Sequence, residues 1–152
     1  MTAQERQHFL QGIPIFAGLG APALLGIAEA VEEKAFQAGS VIVKEGEPGD
    51  RMFIVYSGHV EVIKHLATPG QTLLATFGPR DFMGEMSIIE PVTRSASVRA
   101  VEETFLFALR GLDLYHLFQK QPDQYALVIL NIARDLSRRL RSLDERYSAI
   151  ST

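Results

Sequence analysis

The hydrophobic pattern changes period twice along this chain. Residues 3–10 predict a short helix and 21–31 a second, with Pro22 in a first turn, where its missing N–H is not needed. Pro14 and Gly18 punctuate the stretch between them. From Phe36 to Leu109 the apolar residues come instead in short β-branched and aromatic runs, at 41–43, 52–56, 60–64, 73–77, 96–99 and 104–109. Turn signals separate them: Gly39, Gly46-Glu47-Pro48-Gly49-Asp50, Ser57-Gly58, Thr68-Pro69-Gly70 and Gly78-Pro79-Arg80-Asp81. Gly39, Gly46, Gly49 and Gly58 are expected at positive φ. Helix returns over 112–119 and, after Pro122-Asp123, over 122–147. Many short, evenly spaced strands between helical ends predict a mainly β fold, a jelly roll or barrel (a double-stranded β-helix) with N-terminal helices and a long C-terminal helix. The division expected is a single domain over 1–152, with helices at 1–35, the β-roll at 36–110 and helices at 111–150.

In the last helix Ile129, Ala133, Leu136, Leu140, Leu143 and Tyr147 follow one another at spacings of 4, 3, 4, 3 and 4, a heptad seam. Two readings stand side by side: the helix packs on its own β-roll, or it pairs with a second copy in a homodimer through 122–147. The arginines of this helix (Arg134, Arg138, Arg139, Arg141, Arg146) are interleaved with Asp135, Asp144 and Glu145, the pattern of a solvated face rather than a nucleic-acid grip.

One interval breaks the strand rhythm. Residues 82–98 place Glu85 and Arg94 among Met, Ile, Ala and Val, with Gly84 opening a helical turn and several hydroxyls nearby. A carboxylate and a guanidinium in apolar surroundings are costly unless each has a partner. A small ligand with an anionic end and a hydroxyl end would partner both, which is the outline of a sugar phosphate. The plainer alternative is that Glu85 and Arg94 pair with each other.

Composition narrows the choices. At 152 residues, 47% hydrophobic, the chain can bury one substantial core. A net charge of -3 provides no field toward nucleic acid or an acidic membrane. With no cysteine, disulfides, thiolate catalysis and cysteine-bound metals are excluded. His8, His59, His65 and His116 are scattered, so a metal-dependent enzyme lacks its ligand set. Gly18-Leu19-Gly20 has no preceding strand and no third glycine, so it is not a dinucleotide fingerprint. The polar start and the lack of a membrane-length apolar run give a cytoplasmic protein as the expectation.

Two blocks together resemble the cyclic nucleotide-binding domain family of catabolite-activator-type regulators, protein kinase regulatory subunits and cyclic-nucleotide-gated channels. One is the turn-and-strand block from Gly46-Glu47-Pro48-Gly49-Asp50 to Ser57-Gly58-His59-Val60. The other is a phosphate-binding cassette, Gly84-Glu85-Met86 followed by Arg94-Ser95-Ala96-Ser97. The resemblance covers almost the whole chain. It implies a purine 3′,5′-cyclic mononucleotide as ligand, cAMP favoured over cGMP, and no further cofactor, metal or catalytic residue. It places Gly84, Glu85, Met86, Ser87, Arg94, Ser95 and Ala96 at the ligand. Glu85 would accept the ribose 2′-OH, and the fork of Arg94 would meet the phosphate. Ser95 would add a hydroxyl at the phosphate edge or the base, Ser95 and Ala96 backbone N–H groups, and Met86 and Ala96 would keep the pocket small and dry. Arg138 and Arg139 stand where a base could be capped, although a solvated face is the plainer reading for either. His59 or His65 as a haem ligand is admitted by one relative type; a surface strand histidine is plainer.

The implied role is a sensor without enzymatic activity that moves its C-terminal helix and so signals to an unidentified effector. The alternative is a nucleotide-blind interaction or dimerisation domain on the same fold. An activator-type regulator continues into a helix-turn-helix, and 152 residues leave no room for one after the long helix, so neither direct DNA binding nor membrane association is expected.

Overall fold

The computed structural model describes residues 1–151. Helix α1 (Ala3–Gln11) opens with a reciprocal Thr2–Glu5 capping box, a single 3₁₀ turn follows at Pro14–Phe16, and α2 spans Ala21–Ala30. The strands are β1 (Glu32–Phe36), β2 (Val41–Val43), β3 (Pro48–Gly49), β4 (Arg51–Ser57), β5 (Val60–Lys64), β6 (Thr72–Phe77), β7 (Phe82–Met83), β8 (Val92–Thr93), β9 (Ser97–Ala100) and β10 (Thr104–Arg110). A short helix α3 (Met86–Ile89) lies between β7 and β8; α4 (Gly111–Lys120) and α5 (Pro122–Ser151) complete the chain. Two antiparallel sheets form, ordered β1-β10-β4-β7 and β2-β9-β5-β6, with β3 and β8 as a separate pair. This is the expected jelly-roll architecture, although the ladders do not close into a barrel.

The central strands of the first sheet read as unbroken apolar runs because both of their faces are buried. On β4, Phe53 and Val55 face the second sheet and share a core cluster with its Val60 and Val98 and with Met83 and Leu106 of their own sheet. Met52 and Ile54 point the other way, into a cluster built with α1, α2, α4 and α5. β10 alternates in the same manner, Leu106 and Ala108 to one core and Phe107 and Leu109 to the other. The roll therefore needs helices on one side, and the helical ends of the chain supply them.

The β-roll begins at Glu32, not at Phe36. β1 is an edge strand, paired only with β10, and its Glu32-Glu33-Lys34 start is largely exposed. Charge on an edge strand discourages pairing with other chains and also hides the strand from a hydrophobic-pattern reading. The two-residue strands β3, β7 and β8 carry no periodic signal at all.

Helix α5 resolves the seam by splitting it. Its first half packs on the body through Tyr125, Val128, Ile129, Ile132 and Leu136, while Leu140 and Tyr147 are 60% and 75% exposed and Ala133 and Leu143 also face solvent. The own-roll reading holds for Ile129 and Leu136, and among the described residues the rest of the stripe stays exposed. The buried Asn131 ties the helix down, donating from Nδ2 to the carbonyls of Ile15 at 3.1 Å and Ala17 at 3.0 Å. Asn131→Leu would strip one buried and one partly buried carbonyl of their donor, at about 2–3 kcal/mol. The expected fall in Tm by calorimetry is roughly 4–12 °C.

Candidate nucleotide-binding site

The site is assembled by short pairings that act on the backbone first. β7 pairs with β4 and brings Phe82-Met83 to the sheet edge, after which Gly84 turns the chain at φ +81°. α3 follows, with the N–H groups of Ser87 and Ile88 already bonded to the carbonyls of Gly84 and Glu85. β8 then pairs with β3, Pro48 opposite Thr93 and Gly49 opposite Val92. This returns the chain to Arg94, whose N–H donates to Glu47 O at 2.7 Å and whose carbonyl accepts from Gly46 N at 2.8 Å. Gly39, Gly46 and Gly58 take the expected positive φ, at +84°, +87° and +93°.

Gly49 does not take positive φ, and its reason is space. A Cβ there would meet Ser87 Oγ and lie 2.8 Å from the Arg94 guanidinium; a Cβ on Gly84 would lie 2.8 Å from Arg94 Nη1. Arg94 threads between two glycines. Its Nη1 donates to Ser87 Oγ at 3.0 Å, its Nη2 donates to the Arg51 carbonyl at 2.8 Å, and the guanidinium lies 5.9 Å from the Phe53 ring centre. Burial pushes its pKa below the usual arginine value, while Asp50 pulls the other way.

Glu85 does not pair with Arg94. Its partner is Arg139 on α5, whose Nη1 donates to Glu85 Oε1 at 2.7 Å. Arg139 Nη2 donates to the Phe82 carbonyl at 3.3 Å, and its guanidinium lies 5.2 Å and 5.7 Å from the ring centres of Phe82 and Phe77. Asp135, read from the sequence as part of a solvated face, turns inward instead: its buried Oδ2 sits 2.9 Å from Arg139 Nε. The Glu85 side chain is only 4% exposed, and burial first of all raises its carboxyl pKa, with Arg139 opposing. Arg138 faces solvent.

These groups surround a cavity of about 220 Å³. Gly84 to Ser87 and Arg94 to Ala96 all line it, as does Arg139. Apolar wall comes from Val62, Ala75 and Phe77. Ala96 is buried, but Met86 is half exposed and does not seal the site as expected. The volume is below the roughly 300–1,000 Å³ of drug-sized sites and suits one compact ligand. A guanidinium, a buried carboxylate and apolar walls in one cavity can hold an anion and a hydroxyl together.

A family model of the cyclic nucleotide-binding domain matches residues 33–121. The chain belongs to the cyclic nucleotide-binding domain family. It is 36% identical over 144 residues to the cyclic AMP receptor protein of Thermus thermophilus, covering 93% of this chain and 64% of that protein. It is 40% identical over 116 residues to a cyclic nucleotide-gated potassium channel of Mesorhizobium japonicum, covering 76% of this chain and 31% of the channel. The crystal structure of a cyclic nucleotide-binding domain from Methylobacillus flagellatus superposes with a TM-score of 0.81 at 26% identity, over 95% of this chain and 81% of that one. The chain thus spans from about a third to just under two thirds of these two sequence relatives. Among the described residues no helix is long and apolar enough to cross a membrane, and no three metal-ligating side chains converge.

Sequence reasoning missed Gly49 as a packing partner of Arg94, the Arg51 carbonyl, and the Asp135–Arg139 pair. The last had a visible signal, opposite charges four residues apart on one helix. Nothing in the sequence linked that pair to Glu85.

Proposed function

We propose that this chain is a sensor domain that binds a purine 3′,5′-cyclic mononucleotide, cAMP in preference to cGMP, and has no catalytic activity of its own. The observation that carries the reading is the shared cavity of Arg94 and Glu85. Arg94, with the Ser95 hydroxyl and the backbone N–H groups of Ser95 and Ala96, takes the cyclic phosphate. Glu85 accepts the ribose 2′-OH. The base lies against apolar wall with Arg139 beside it, while Arg138, facing solvent, takes no part. The likeness to the Thermus thermophilus receptor supports cAMP as the nucleotide.

Coupling follows from the Glu85–Arg139 bond. A ribose hydroxyl at Glu85 enters the hydrogen-bonding shell that now holds α5, so ligand and helix compete for or share one carboxylate. Whichever state the nucleotide favours, it shifts the position of α5 by its difference in affinity for the two. The whole chain acts as one sensor unit, located in the cytoplasm. The exposed stripe of Leu140, Leu143 and Tyr147 is offered to a second copy or to an effector protein or domain. The unit itself contacts neither DNA nor membrane.

Thermal unfolding with cAMP, with cGMP and with neither tests the reading. Nucleotide at 100 times its Kd stabilises the native state by about 2.7 kcal/mol. That corresponds to a rise of roughly 5–11 °C for a domain of this size. A flat Tm with both nucleotides would turn the assignment toward an interaction domain that ignores nucleotide.

A further inference from the structure

Lys64, the last residue of β5, reaches across to the cassette. Its Nζ donates to the Ser95 carbonyl at 2.6 Å and lies 3.5 Å from Glu45 Oε2. Glu45 is itself held. Its Oε1 accepts the His65 N–H at 2.9 Å, and its own N–H donates to Ser97 Oγ at 3.0 Å. Together with the bonds of Arg94 to Gly46 and Glu47, these contacts fix the backbone on either side of the Ser95–Ala96 peptide.

A trans peptide is planar, and its C=O and N–H point in opposite directions. The Ser95 carbonyl is drawn toward Lys64, whose side chain is 37% exposed. The N–H at the other end of that peptide belongs to Ala96, which is buried and lines the cavity. We propose that Lys64, with Glu45 as its counter-ion, is a positioning residue for the ligand's anionic end: it holds the Ser95–Ala96 peptide so that the Ala96 N–H is presented to the cavity. Glu45 serves two ends. It fixes the ammonium in place, and it balances the charge, so that Lys64 acts through the peptide rather than as a free cation near the phosphate. The inference rests on the nucleotide reading above.

The test compares wild type, Lys64→Met and Lys64→Arg by calorimetric titration with cAMP and cGMP, and follows the Ala96 amide in ¹⁵N–¹H spectra. Lys64→Met is expected to weaken binding roughly five- to tenfold, the loss for one charge-assisted hydrogen bond in a partly solvated place. It should also move the Ala96 resonance and blunt its response to nucleotide, while Tm without ligand shifts by only about 2 °C. Lys64→Arg keeps donor and charge and should restore both readouts to within about twofold of wild-type affinity. Wild-type affinity and an unmoved Ala96 amide in Lys64→Met would overturn the proposal, as would an arginine variant no better than the methionine one. Should Lys64→Met fail to fold, Glu45→Gln carries the same comparison, since it releases the ammonium without removing it. Failure of the wild type to bind either nucleotide would count against the nucleotide reading instead; the Ala96 amide of the free protein would then still report whether Lys64 holds the peptide.

Discussion

Arg94→Ala is expected to remove most of the nucleotide-dependent rise in Tm while leaving the unliganded fold nearly intact. The two halves of this result have different causes. The guanidinium fork offers the cyclic phosphate charge-assisted hydrogen bonds of about 1.5–3 kcal/mol each, and alanine offers none. A loss of about 2.7 kcal/mol weakens the complex roughly a hundredfold. Nucleotide that stood at 100 times Kd then stands near Kd and contributes only about 0.4 kcal/mol, a shift of roughly 1–2 °C in place of 5–11 °C. In the empty protein Arg94 gives two hydrogen bonds, to Ser87 Oγ and the Arg51 carbonyl, yet it is a half-buried charge whose burial depresses its pKa. Removing it gives up those bonds and also relieves that burial, so Tm without ligand should stay within a few degrees of wild type. Equal nucleotide shifts in wild type and variant, read by differential scanning fluorimetry, would exclude Arg94 from the site.

Which parts of this were legible in the sequence follows from physics. β4, β5, β9 and β10 are legible within a residue or so of their ends because burial leaves a dense apolar imprint, and β6 shows through its Leu73-Leu74 run although it is largely exposed. β1 is not legible, because an edge strand protects itself with Glu32, Glu33 and Lys34. The cassette was legible as chemistry: two charges in apolar sequence require partners, and Arg94 and Glu85 do line one cavity. The identity of the partner was not, because a helix 54 residues further on supplies it. No local pattern encodes that Arg139 returns to Glu85; it depends on how α5 is set on the body by Val128, Ile132 and the Asn131 clamp. Gly49 was misassigned for a related reason. Turn glycines and close-approach glycines look alike until the side chain they make room for, here Arg94, is in place.

Glu85→Gln is expected to make the empty protein more pH-tolerant and a poorer receptor at the same time. Burial holds the Glu85 carboxyl pKa above the ordinary 4.5, Arg139 pulls it back, and Asp135 adds to the rise. A carboxyl whose folded pKa is raised keeps its proton longer in the folded than in the unfolded chain. Its ionisation therefore removes stability as pH climbs from the ordinary value through the raised one, and the cost persists above it. Glutamine has no proton to lose. The difference in Tm, variant minus wild type, should grow across that window without nucleotide and then level off; a difference independent of pH would mean that Arg139 fully offsets the burial. Nucleotide affinity should fall roughly tenfold, because a neutral amide oxygen is a weaker acceptor for the ribose hydroxyl than a carboxylate. The ion pair to Arg139 is lost as well, so amides of α5 around Arg139 should exchange faster in the empty variant and respond less to nucleotide. Wild-type exchange there would refute the coupling of ligand to helix. A substitution that eases the burial of a charge while weakening the ligand and the link to α5 is what is expected where a buried carboxylate is kept for binding at some expense to stability.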